Sequence, residues 1–206
     1  MKRASLCRIA LAAMAMLLSA CSILPDSEPL RVFLLPSAIT TQPPATQPER
    51  ELTLRVRTPQ ASRILASPRI AVVPQGHQIS AYQGARWSDA APTLLRDRLI
   101  EAFQASGQLA SVSSDDGGVH ADLELIGDLR AFQSVYLDGS PQVLIRFDAS
   151  LIDSDSQRSI ASRRFEIRQP SQDPQLDAVV EAFGQASDEL SRQLLAWVLA
   201  QSGAKP

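Results

Sequence analysis
Leu176, Val179, Val180, Phe183, Ala186, Leu190, Leu194, Trp197 and Val198 recur at helical spacing near the C-terminal end of the chain, with Asp177, Glu181, Gln185, Asp188 and Arg192 on the opposite face. A helix with one apolar stripe must bury it against something broad and flat. The pattern therefore calls for a sheet of comparable length. Residues 143–151 give the sharpest strand: Val143, Ile145, Phe147, Ala149 and Leu151 alternate with Arg146, Asp148 and Ser150, the period of a half-buried strand. Upstream, Leu123, Leu125, Leu129 and Ala131 share a face opposite Glu124, Asp128 and Arg130; downstream, residues 159–168 form a third strand. Asp138-Gly139 and Asp153-Ser154-Asp155-Ser156 lie between the three. Both carry turn chemistry, so the strands read as a meander.

The preceding region is more mixed. Leu52, Leu54 and Val56 alternate with Thr53 and Arg55, and residues 69–73 make a second apolar run. Pro74-Gln75-Gly76-His77 turns the chain into a returning strand at residues 78–82. Ser88 reads as the N-cap of a helix, Asp89 sits at its positive end and Pro92 falls in its first turn. Ala91, Leu94, Leu95, Leu99, Ala102 and Phe103 give its apolar face and Gly107 its end. A strand is expected near residues 109–112. At the far end, Asp173 reads as a cap and Pro174 as the first position of the C-terminal helix. The expected fold is a single α+β domain, mostly antiparallel sheet with two amphipathic helices packed on it.

The N-terminal region is organised differently. Residues 1–8 carry Lys2, Arg3 and Arg8 with no acid, and residues 9–18 are apolar over the length of a signal-peptide core. That run is too short for a comfortable membrane span. Leu18-Ser19-Ala20-Cys21 follows, the aliphatic-small-small-cysteine order of a bacterial lipobox. The Cys21 thiol is thus the expected lipid attachment point. One acyl chain holds a protein only reversibly, whereas two or three anchor it stably. Ser22, not aspartate, follows Cys21, which by the enterobacterial sorting rule favours the outer membrane. The expected divisions are a signal peptide at 1–20, then a lipidated tether, short strand and Pro-rich linker at 21–51. The α+β domain follows at 52–201, with a tail at 202–206. Pro36, Pro43, Pro44 and Pro48 mark the linker.

Several function classes are disfavoured. With 20 Lys+Arg against 22 Asp+Glu, and three of the basic groups in the leader, no cationic surplus remains for nucleic acid. Cys7 and Cys21 are the two cysteines, so the body beyond Cys21 has none for a disulfide or a thiolate metal site. His77 and His120 are the two histidines and lack ligand spacing. No HExxH, GxSxG, GxGxxG or phosphate-loop motif occurs. The acidic turn at residues 153–157 has Arg158 and Arg164 where a calcium loop needs glycine and glutamate. No catalytic residue, metal or cofactor is assigned. Tyr82, Arg86 and Trp87, in YQGARW ahead of the first helix, are candidate partner-binding residues. The competing reading packs Trp87 beneath the helix start.

These features resemble the ABC-type transport auxiliary lipoprotein component family. The resemblance rests on the lipobox, Arg31-Val32-Phe33-Leu34-Leu35-Pro36, SPRIAVV, YQGARWSDAAPTLL leading into a helix, and ADLELIGDLRAFQ before a strand pair and a C-terminal helix. It departs in having Val32-Phe33 where the family often has paired tyrosines, and in the Pro-rich insert. The resemblance implies a lipid-anchored auxiliary or docking component of an MCE-type ABC transporter, held at the outer membrane and facing the periplasm. Such a transporter moves lipids between the inner and outer membranes. Its partner would be the transporter's MCE-domain substrate-binding protein; a homo-oligomer is compatible with it. The alternative is a structural envelope lipoprotein supporting assembly of another periplasmic complex.

Overall fold
The computed structural model describes residues 29–38, 50–118, 120–137 and 139–202. The leader, Cys21, most of the tether and Pro-rich linker, Asp138 and the last four residues lie outside them. The strands are β1 (Arg31–Phe33), β2 (Arg50–Val56), β3 (Gln60–Ala61), β4 (Arg69–Gln75), β5 (Gln78–Trp87), β6 (Leu109–Ser114), β7 (Leu123–Leu137), β8 (Ser140–Asp153) and β9 (Arg158–Pro170). The helices are α1 (Ala91–Ser106) and α2 (Leu176–Ser202).

All nine strands join one mixed sheet. The meander forms as expected, β7 pairing antiparallel with β8 and β8 with β9 over nearly their whole lengths. The other edge of β7 takes three shorter strands in succession. β2 pairs with its N-terminal end, β3 with its middle and β4 with its C-terminal end, all parallel. β6 extends β2, and β5 then β1 extend β4. The α+β class holds, with long antiparallel ladders and short parallel ones. The short strand grouped with the tether, β1, belongs to this sheet as an edge strand beside β5.

A bulge breaks the alternation of β7 between Leu129 and Ala131. Beyond it Phe132 faces the helices, where its ring lies 4.9 Å from that of Phe183 in α2. Gly127 sits just before the bulge. A Cβ there would overlap the Asp148 carbonyl oxygen and the Phe147 ring, so the close approach of β7 to β8 requires glycine.

α2 spans about 40 Å and β8 about 46 Å, from their rise per residue. The expected stripe of α2 is buried from Val179 to Val198. The buried arc is wider than one stripe, because Gly184, Ser187 and Ser191 are covered too. Ser187 and Ser191 donate to the carbonyls of Phe183 and Ser187, so no hydroxyl is stranded.

Helix starts differ from expectation. α1 begins at Ala91 and Ala90 is its cap residue, without a side-chain cap bond. The Ser88 N–H is spent on the Phe33 carbonyl, continuing the β1–β5 ladder. The Asp173 carboxylate accepts from the Gln175 N–H, two residues on, so Pro174 precedes α2 instead of opening it. Gly107 does end α1, at φ 64°.

The solvent face of the meander carries a charge ladder. Asp148 accepts from Arg164 at 2.5 and 2.7 Å and from Arg130 at 3.1 Å. The Arg164 hydrogen bond, with Arg130 behind it, holds the Asp148 carboxyl down at about 2. A depressed carboxylate stabilises the fold above its unfolded value, 3.8, and loses that contribution as pH falls toward 2. Asp148→Asn is therefore expected to lower Tm at neutral pH, with the gap to the parent closing between about pH 4 and pH 2. Thermal melts of both proteins across that range check it.

Candidate functional site
The segment through which the tether enters the domain is tied down along its length. Arg31 meets Asp177 of α2 at 2.6 Å, and its guanidinium lies 4.7 Å from the centroid of the Phe33 ring. Phe33 and Leu35 pack on the core. Pro36 presses on α2 where Gly184 leaves room; a Cβ on Gly184 would fall 2.7 Å from the Pro36 carbonyl oxygen. The Ala38 N–H donates to the Asp188 carboxylate.

Arg98 of α1 closes this strap. Its side chain is 4% exposed. It donates to Asp188 at 2.9 Å and to the carbonyls of Leu35 and Pro36 at 2.9 and 2.5 Å. A buried guanidinium needs such partners, since an isolated charge in the interior is prohibitively costly. One side chain thus holds α1, α2 and the strap together. Sequence reading passed over Arg98, although its position among Leu94, Leu95, Leu99 and Ala102 put a cation on an apolar face. Gly184 and Asp188 were passed over as partners because their neighbour is remote in sequence.

The candidate residues Tyr82, Arg86 and Trp87 all lie on β5, which continues past its expected end at Tyr82. Trp87 is 0% exposed. Its ring packs edge-on to Phe183 at 5.1 Å and to Phe132 at 6.1 Å. The contact role considered for it passes to the packing alternative: Trp87 presents nothing to a partner. Tyr82 is half-buried, donates to the Ser134 hydroxyl at 3.2 Å, and has its phenol pushed up to about 12, chiefly by burial. Arg86 is exposed. Tyr82 and Arg86 line an open groove of about 460 Å³ together with Leu30, Arg69, Ser80 and Gln83.

Comparison with known proteins follows this architecture closely. The family model for the ABC-type transport auxiliary lipoprotein component matches residues 33–195. The chain belongs to this family. The auxiliary-lipoprotein domain is also similar to a solved structure, protein XCC0632 from Xanthomonas campestris of family DUF330, at 33% identity and a TM-score of 0.75. That likeness covers 84% of this chain and 96% of the other. A second solved structure, of an uncharacterized protein, shares the fold at 16% identity and a TM-score of 0.64, over 83% and 99% of the two chains. Among curated proteins, an uncharacterized protein of Bradyrhizobium diazoefficiens is 28% identical over 147 residues, 71% of this chain. The match spans 39% of that relative's length.

The remaining polar candidates of this auxiliary-lipoprotein domain stand apart from the groove. His77 is exposed at the β4–β5 turn. His120 is exposed, with Asp155 at 3.6 Å. In the acidic turn, the Asp153 carboxylate accepts from the Ser156 N–H and hydroxyl, so it closes the hairpin. Among the described residues no group of three His, Cys, Asp or Glu side chains is placed to hold a metal. No described helix is long and apolar enough to cross a membrane.

Arg98→Met should free the strap while keeping most of the stem's packing. Removing one member of a buried ion pair costs about 3 kcal/mol or more. The expected result is that loss in chemical denaturation, with faster proteolytic cutting before residue 38.

Proposed function
We propose that this protein is a lipid-anchored outer-membrane docking component of an MCE-type ABC transporter, acting without catalysis in lipid movement between the two membranes. Membership of the auxiliary lipoprotein family supports the association with an ABC transporter. The observation that carries the anchored reading is the strap. Only eight residues separate Cys21 from Leu30, and residues 31–38 are fixed to α1, α2 and β5. A domain whose entry segment is clamped this firmly is held near whatever its lipid tether is inserted in. In this reading Cys21 carries the acyl chains, and the domain offers its periplasmic surfaces to the MCE-domain protein.

Two measurements test it. Cys21→Ala should abolish labelling of the protein by palmitate and shift it from the membrane fraction to the soluble periplasmic fraction. A photo-crosslinking residue at Tyr136 or Ile79, at the β7 and β4–β5 tips, should capture an MCE-domain protein in intact cells. Capture of a different envelope complex from both positions would transfer the function to structural support of that complex.

A further inference from the structure
The groove beside β1 has an unusual charge arrangement. Arg69 of β4 and Arg86 of β5 stand directly opposite each other across an antiparallel pair. Like charges in that position repel. Ten other arginines among the described residues make ion pairs. Among the described residues Arg69 and Arg86 make none, and no described carboxylate lines the groove they share. Two guanidiniums facing one cleft lined with Ser67, Ser80, Tyr82 and Gln83 suit a tetrahedral oxyanion, to which arginine offers paired donors.

An apolar stripe runs along the same border. Val32 is in register with Arg86. Leu30, Val32 and Leu34 alternate along the edge strand and are 55%, 52% and 75% exposed. Their neighbours Phe33 and Leu35 turn inward to the core. Leu30 also lines the groove. Cation pair and apolar stripe together match an amphiphile with an anionic head. The position agrees: the eight residues between Cys21 and Leu30 span at most about 30 Å when fully extended.

We propose that this groove binds the phosphate of a phospholipid headgroup from the leaflet that holds the anchor, with Arg69 and Arg86 as its ligands and Leu30 and Val32 against the apolar part of the lipid. The inference deepens the proposed function and rests on lipidation of Cys21. It gives the domain a lipid contact of its own, separate from the covalent anchor.

The test uses the full chain in intact cells grown with radiolabelled phosphate, with a photo-crosslinking residue at Val32. A diacylglyceryl anchor contains no phosphorus, so label on the purified protein reports a separate molecule. Label is expected at Val32 and not from the same probe at Glu181, on the exposed side of α2. Mass spectrometry of the adduct should show a whole phospholipid. The pair Arg69→Gln and Arg86→Gln should cut the label about tenfold, as expected for loss of charge-assisted hydrogen bonds. Arg69→Lys with Arg86→Lys should retain most of it. Unchanged thermal melts of both variants separate the effect from misfolding. A protein adduct at Val32, a phosphate adduct without acyl chains, or labelling indifferent to both arginines overturns the proposal. Palmitate labelling of Cys21 in the same cells separates the two failures: a palmitoylated protein without lipid at Val32 sinks the groove alone, whereas an unlabelled Cys21 sinks the anchored reading as well.

Discussion
The fold depends on β7 being shared. Its fifteen residues are paired along one edge by β8 and along the other by β2, β3 and β4 in turn. Without that spine the β2–β6 pair and the β4–β5–β1 group would be small separate sheets, each too narrow to bury its own apolar face. With it, they form a surface long enough for α2. The bulge after Leu129 and the glycine at 127 adapt the spine to both demands. Gly127 lets β8 approach closely, and the shift in alternation turns Phe132 toward Trp87 and Phe183. The aromatic cluster thus fastens the β4–β5 side of the sheet to α2.

A second layer of order is electrostatic and lies at the opposite extreme of burial from the Asp148 ladder. Arg98 is enclosed by carbonyls and the Asp188 carboxylate, with Glu101 3.7 Å away, so removing a partner leaves a charge in a poor solvent. Surface pairs such as Arg192 with Glu189 are solvated and contribute little each. Among the bonds that hold the strap, those of Arg98 are thus the most deeply buried.

Much of this was legible in sequence where the determining contacts are local. The β8 alternation, the α2 stripe and the Gly107 stop each depend on residues within a few turns or one hairpin. The parallel pairings were not legible, because nothing in LTLRV or RIAVV says that residue 54 will meet residue 123 or residue 72 residue 134. The lipobox reading falls on residues outside those the structure describes. The groove was half-legible: Tyr82 and Arg86 stood out, but Arg69 did not. The Gln75–Gln78 pairing, continued without interruption, would set Arg69 opposite Gly84. Register shifts on either side of Ala71 and Val72, with Gly84 at φ 64°, bring it opposite Arg86 instead. No local pattern encodes such shifts.

The clamp between Pro36, Gly184 and Arg98 also has a mechanical consequence. A pull on the tether is shared among the β1–β5 ladder, the Arg31–Asp177 pair and the Arg98 bonds before it reaches residues beyond 38. With the anchor proposed at Cys21, eight residues lie between it and Leu30, and a pull from that side would meet β1 first.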